Sequence, residues 1–109
     1  SLLDLCRAAD PELVAERRTL LVREPFEVAQ TAEIVAAVCA AEAERNGGAP
    51  QIGGVSYWAD AAFIASAGIP TVLFGPGGEG AHAVEEWVSI SDTEAVARTL
   101  VATAQRMCA

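Results

Sequence analysis

Apolar residues recur at helical spacing in four segments of the chain, and this pattern predicts four helices. We expect them over 1–9, 31–45, 61–67 and 93–107. In the second segment the apolar side chains fall within one arc of a helix: Ile34, Val35, Val38, Cys39 and Ala41. Glu42 lies in the same arc, so we expect the buried face to fade in the last turn. In the last segment we expect Asp92 to cap the helix. We expect the inward side chains of that helix to be Val96, Leu100, Val101 and Ala104.

Two short apolar runs, 19–23 and 71–74, are typical of β-strands rather than helices. The second is continuous and not alternating, as in a parallel strand covered on both faces. The order of strands and helices along the chain favours an α/β layered fold. Two strands are too few for a stable sheet, so we expect residues outside this chain to complete it.

Composition narrows the classes of function. Fifteen acidic residues against seven basic ones give a net charge of −8, which disfavours a nucleic-acid partner. No apolar run is long enough to cross a membrane, and the N-terminus lacks the basic flank of a secretory signal. Cys6, Cys39 and Cys108 form no C-x-x-C pair, which is typical of reduced thiols. We therefore expect a cytoplasmic protein that binds neither nucleic acid nor membrane.

The glycine-rich loop at 75–80 and the single histidine that follows it, His82, are the main candidates for chemistry. Bare backbone N–H groups could cradle a phosphate, but the loop lacks the Walker lysine, and Pro76 removes a donor. A tight turn at the floor of an active site is the favoured interpretation. His82 is the one residue able to act as a neutral nitrogen ligand, although a lone histidine is more often an ordinary surface or core residue.

Other polar and aromatic residues have two interpretations each. Glu85 and Glu86 could orient the His82 imidazole, or form a solvated acidic turn. Asp60 could be a site carboxylate, or simply the cap of the helix that follows it. Trp58 and Trp87 could flank a substrate pocket, or pack in a partly buried position.

Two long motifs give the chain a family resemblance. The segments GGVSYWADAAF at 53–63 and AGIPTVLFGPGGEGAHAVEEWV at 67–88 closely resemble the C-terminal motif of the acetylornithine deacetylase and succinyl-diaminopimelate desuccinylase family. This family also includes aminoacylases and carboxypeptidase G-like enzymes. The segment REPFE at 23–27 looks like the same family's return from its lid domain to its catalytic domain. The resemblance covers nearly the whole chain.

The resemblance implies the fold and the domain boundaries. It implies the C-terminal part of a zinc exopeptidase-like catalytic domain over 25–109, with three layers and helices on a mixed sheet. Residues 1–24 would be a remnant of the α+β lid domain, which usually mediates dimerisation. A homodimeric full-length parent is therefore expected.

The resemblance also implies the site. His82 would bind one of two zinc ions per protomer, with cobalt or manganese as alternative metals. Glu86 would support that histidine, and the remaining positions would shape the substrate site: Trp58, Asp60, Gly75, Gly77 and Gly78. The substrate would be an N-acyl amino acid or a small peptide.

The family's His-x-Asp motif, bridging aspartate, Glu-Glu pair and remaining carboxylate ligand have no counterparts here. We therefore expect a fragment that has no catalytic residue of its own and is inactive alone. Two alternatives remain: a non-catalytic interaction module that reuses this segment, and a small nucleotide-binding α/β domain.

Overall fold

A computed structural model describes residues 1–109 as four helices and one two-stranded antiparallel sheet. In chain order the elements are α1 (Leu2–Ala9), α2 (Glu33–Asn46), α3 (Ala61–Ser66), β1 (Gly78–Glu79), β2 (Trp87–Val88) and α4 (Ile90–Met107). All four predicted helices are confirmed, and no end is shifted by more than three residues. This small α/β arrangement is compatible with part of a larger α/β domain.

The core lies where α2 packs against α4. The buried face of α2 includes Val35, Val38 and Ala41, as the apolar arc predicted. The buried residues of α4 are Thr99 and Thr103. Of the predicted inward face, Val96 is half-buried, but Leu100, Val101 and Ala104 are exposed, so the prediction was wrong for these three residues. The buried side chains are therefore mostly apolar on α2, with Glu42 as the exception, and hydroxyl-bearing on α4.

The ends of the two long helices follow from local chemistry. Gly47 ends α2 with a φ of 75°, a left-handed geometry that glycine adopts without steric cost. At α4 the cap is Ser89, whose hydroxyl accepts a hydrogen bond from the backbone N–H of Asp92 at 3.2 Å. Asp92 was predicted to be the cap itself. It lies instead in the first turn, where a carboxylate interacts favourably with the helix dipole.

The two strands predicted at 19–23 and 71–74 do not form. A strand exists only when a neighbour accepts and donates its backbone hydrogen bonds, and neither segment has such a neighbour in this chain. Leu20, Leu21 and Val22 are 65–77% exposed as a result. The sheet that does form lies in the glycine-rich region, which was predicted to be a loop.

The molecule is extended, with dimensions of 63 × 35 × 22 Å and a radius of gyration of 19.9 Å. A compact domain of this length would have a radius of gyration of about 13 Å. None of the helices is both long enough and apolar enough to cross a membrane. The packed part of the chain is thus the α2–α4 pair, and the remaining segments expose apolar side chains.

Candidate functional site

His82 lies at the tip of a β-hairpin formed by β1 and β2. In the hairpin register, Gly78 is paired with Val88 and Glu79 with Trp87. The backbone N–H of Ser89 extends the pairing by donating to the carbonyl of Gly77 at 2.9 Å. The glycine-rich segment after the predicted strand is therefore a structured arm that ends directly at the start of α4.

Two glycines allow the hairpin strands to approach closely. A Cβ on Gly78 would lie 2.2 Å from the carbonyl oxygen of Trp87, and a Cβ on Gly80 would lie 2.0 Å from that of Glu85. Gly80 also has a φ of 78°, in the left-handed region that side chains other than hydrogen disfavour. Glycine is therefore required at both positions for steric reasons alone.

The backbone of His82 is itself unusual, because its φ is 65° and it is the one residue other than glycine with a positive φ. Histidine is among the residues enriched in this region, which nevertheless costs an L-residue about 1–2 kcal/mol. The carboxylate of Glu86 accepts a hydrogen bond from the His82 backbone N–H at 3.3 Å. Glu86 thus supports the main chain at His82, and its predicted contact with the imidazole stays a prediction.

A cavity of about 230 Å³ lies beside the base of the hairpin. One wall is formed by 74–77, and the others by α2 and α4 with Glu42, Arg45 and Asp92. The Asp92 carboxylate approaches the position of a Gly77 Cβ to 2.7 Å. A carboxylate at this point repels phosphate, so the geometry disfavours the nucleotide-binding interpretation of the glycine loop.

Asp60 and Trp58 lie in a second region, at the start of α3. Asp60 occupies the N-cap position, but its side chain makes no capping hydrogen bond, so its predicted structural role as a cap is not observed. Trp58 packs edge-to-face on Phe63, with ring centroids 5.0 Å apart. No hydrogen bond or ion pair joins this region to His82 or Glu86.

Arg23 also lies in the Trp58 region, and this position of Arg23 was not predicted from the sequence. Its guanidinium carbon lies 5.4 Å from the Trp58 ring centroid and 5.1 Å from that of Phe63, within the range of a cation–π contact. These residues are 35 or more positions apart in sequence. No local pattern could have predicted the contact.

The buried carboxylate of Glu42 is a second feature that was not predicted from the sequence. It is only 7% exposed and accepts a hydrogen bond from the Thr99 hydroxyl at 2.7 Å, so it connects α2 to α4. Arg45 and Asn46 also donate to it. The hydrogen bonds from Arg45, and then from Thr99, lower the pKa of Glu42, while burial opposes them. The position of Glu42 in the apolar arc of α2 indicated burial. Because Glu42 is charged, we predicted instead that the buried face fades in the last turn, and this prediction was wrong.

The residues of this chain do not make a complete metal site. No group of three or more histidine, cysteine, aspartate or glutamate side chains is placed to hold a metal ion. His82 offers one exposed imidazole on the hairpin tip, and Cys6, Cys39 and Cys108 are free thiols that lie elsewhere. The role of His82 as a metal ligand therefore stays a prediction.

Comparison with known proteins gives one match. The sequence pattern of the family described as "Peptidase family M20/M25/M40" matches residues 14–106, which is most of the chain. No curated protein matches significantly. No solved structure does either.

Proposed function

The chain belongs to peptidase family M20/M25/M40, and from this membership we propose that it is the C-terminal part of a zinc-dependent amide hydrolase. The full-length parent would remove the acyl group from an N-acyl amino acid, releasing a carboxylate and an amine. Deacetylases, desuccinylases and small-peptide hydrolases are the candidate activities. The family match supports a metal-dependent hydrolase, and the finer substrate assignment is our proposal.

The exposed position of His82 at the hairpin tip is the observation that best supports this proposal. Its imidazole stands exposed at the tip of a hairpin whose close strand approach requires glycine at Gly78 and Gly80. A backbone in the left-handed region is commonly retained where function requires it. A histidine exposed at the tip of a hairpin can reach a metal whose other ligands come from a separate part of the protein.

We further propose how the remaining parts are divided. Residues 1–24 would belong to the lid domain and 25–109 to the catalytic domain, in a homodimeric parent. The unpaired apolar segments at 19–23, which is exposed, and 71–74, which is mostly half-buried, support a sheet completed by residues outside this chain. The three free cysteines support a reducing compartment, the cytoplasm.

The chemistry requires groups that this chain does not provide. A bound zinc ion would polarise the amide carbonyl and acidify water, with a carboxylate as general base. Within this chain, His82 would hold metal, and Glu86 would fix the His82 backbone. Asp60, Trp58 and the three glycines at 75, 77 and 78 would shape the substrate side.

The test is hydrolysis of a panel of N-acyl amino acids by the full-length parent, before and after removal of metal with a chelator. We expect turnover that is lost on chelation and restored by zinc. The 109-residue chain assayed in parallel with zinc should show none. A metal-loaded parent that hydrolyses no N-acyl amino acid would contradict the proposed reaction, and turnover by the chain alone would contradict the proposed division of residues.

A further inference from the structure

Ser89 joins the hairpin that carries His82 to the first turn of α4. It follows β2 directly and precedes the first residue of the helix. Its backbone N–H donates to the Gly77 carbonyl at 2.9 Å, and its hydroxyl accepts from the backbone N–H of Asp92 at 3.2 Å. Its carbonyl accepts from both the backbone N–H and the hydroxyl of Thr93, at 3.0 and 2.8 Å. One residue therefore closes the base of the hairpin and caps the helix.

The hydrogen bond at Ser89 is the hairpin's one hydrogen-bonded link to the rest of the chain. All other hydrogen bonds of 77–88 lie within the hairpin itself. Packing holds the hairpin only in part, because Trp87 and Val88 are each 55% exposed and Val84 is fully exposed. A two-stranded hairpin by itself is marginally stable in water. The order of the hairpin therefore depends on the residue at its base.

The base of the hairpin is also placed from the side of α4. The Asp92 carboxylate, in the first turn of this helix, lies 2.7 Å from the position of a Gly77 Cβ. On the side of α2, the segment 74–77 borders the cavity of about 230 Å³. The first turn of α4 is thus the part of the core that contacts the start of the hairpin most closely.

We propose that Ser89 is a positioning residue for His82 and acts through the N-terminal cap of α4. Without the capping hydroxyl the first turn would fray, and the Ser89 backbone would no longer be fixed against the Gly77 carbonyl. The hairpin and the histidine at its tip would then lose their fixed position. The importance of this role for hydrolysis rests on the proposed function, whereas the coupling between cap and hairpin does not.

The Ser89→Ala variant separates this coupling from a direct contact. It removes the hydroxyl, whose partners lie in α4, and keeps the backbone N–H that donates to Gly77. Hydrogen exchange at the Ala83 amide reports the hairpin tip, because this amide donates to the Gly80 carbonyl at 2.7 Å. We expect exchange about 2- to 30-fold faster, the change in an opening equilibrium that loss of a helix cap produces.

The imidazole of His82 gives a second readout. It is the single histidine of the chain, so its ring C–H resonances are assigned without ambiguity in an NMR spectrum. In Ser89→Ala they should move toward the positions of a histidine in an unfolded chain. Both measurements use the 109-residue chain without metal, so that they are independent of catalysis.

Two variants serve as controls. Ser89→Thr keeps a capping hydroxyl, and threonine readily adopts the extended backbone of this position, with φ of −70° and ψ of 126°. It should restore slow exchange at Ala83. Ser66→Ala is the matched control, because it removes a hydroxyl that donates to the Phe63 carbonyl at 2.8 Å in α3, away from the hairpin. It should leave exchange at Ala83 unchanged.

The Gly47 amide distinguishes local loosening from global unfolding. It donates to the Ala43 carbonyl at 2.7 Å at the end of α2, and its exchange should stay the same in Ser89→Ala. If Ser89→Ala unfolds the chain, Ser89→Gly takes its place, because glycine is a better cap than alanine and disturbs the helix less. That variant should accelerate exchange at Ala83 and not at Gly47.

The outcomes separate the coupling from the reaction. Unchanged Ala83 exchange and an unchanged His82 resonance in a folded Ser89→Ala chain would show that cap and hairpin are independent, and would overturn the proposal. In the full-length parent, Ser89→Ala should lower kcat for an N-acyl amino acid more than it raises KM, since Ser89 is not among the residues proposed to shape the substrate side. An active parent with unchanged kcat in Ser89→Ala would overturn the positioning role and leave the proposed function standing. Coupled exchange in the chain, with a parent that hydrolyses no N-acyl amino acid, would contradict the proposed function and support the coupling.

Discussion

Removal of the buried carboxylate at position 42 should weaken the core of this molecule. Glu42 is 7% exposed and connects the two long helices through the Thr99 hydroxyl at 2.7 Å. Thr99 is itself only 1% exposed. In the Glu42→Ala variant this hydroxyl would lose its acceptor in a place that water reaches poorly, and α2 would lose its polar link to α4.

The expected loss in the free energy of unfolding is about 1–3 kcal/mol, the cost of one unsatisfied buried polar group. The 3–5 kcal/mol typical of a broken buried ion pair does not apply, because the Arg45 side chain is 32% exposed and can return to water. The double variant Glu42→Leu with Thr99→Val removes both partners. It should cost less than Glu42→Ala, since no polar group is left unpaired.

Urea unfolding followed by circular dichroism at 222 nm measures this effect, since α2 and α4 hold most of the helical residues. The midpoint should fall in Glu42→Ala and partly recover in the double variant. If Glu42→Ala abolishes the transition altogether, Glu42→Gln, which keeps the volume and loses the charge, should give a smaller, measurable decrease. An unchanged midpoint in Glu42→Ala would show that the Glu42–Thr99 hydrogen bond does not stabilise the packing of α2 on α4.

Two further predictions concern acid and the hairpin. The pKa of Glu42 lies below its ordinary value of 4.5 because Arg45, and then Thr99, donate to it, and Arg106 lowers the pKa of Glu44 in the same way. The stabilising contribution of these two carboxylates is therefore present above the unfolded-state pKa and is lost as the pH falls through the folded-state pKa. Glu42→Gln should for this reason reduce the loss of stability at acidic pH. An acid-induced loss of stability as steep as that of the unmodified chain would contradict this prediction. Gly80→Ala should open the hairpin, because the added Cβ would lie 2.0 Å from the Glu85 carbonyl oxygen. The backbone N–H of Ala83 donates to the Gly80 carbonyl at 2.7 Å, so hydrogen exchange at the Ala83 amide should become faster. Gly48→Ala, where nothing lies within 4 Å, is the control, and equal exchange in the two variants would contradict the prediction.

The sequence predicted the helices well because their signals are local. The apolar arc of α2 contains Val35, Val38 and Ala41, all of which are buried, and the left-handed Gly47 follows the helix directly. These features act within a few residues of one another, so a single segment carries enough information.

The strands and contacts could not be predicted with the same success because they depend on distant partners. The segment at 71–74 has the composition of a strand but no neighbour to pair with in this chain. The hairpin was not predicted because its two sides approach so closely that they need glycines, which are depleted in strands. Arg23 meets Trp58 only through the tertiary path of the chain, and the partner of Glu42 lies 57 residues away.

The metal content of the full-length parent tests the central proposal most directly. It is measured per protomer by elemental analysis in the unmodified protein and in the His82→Ala variant. Glu86→Gln serves as the matched control, because it changes the residue that supports the His82 backbone and keeps the imidazole. We expect two zinc ions per protomer in the unmodified protein and one in His82→Ala. Glu86→Gln should retain both, with affinity reduced by about 10- to 100-fold at most. If His82→Ala retained two zinc ions, His82 would not be a metal ligand and would be an ordinary residue of the hairpin tip.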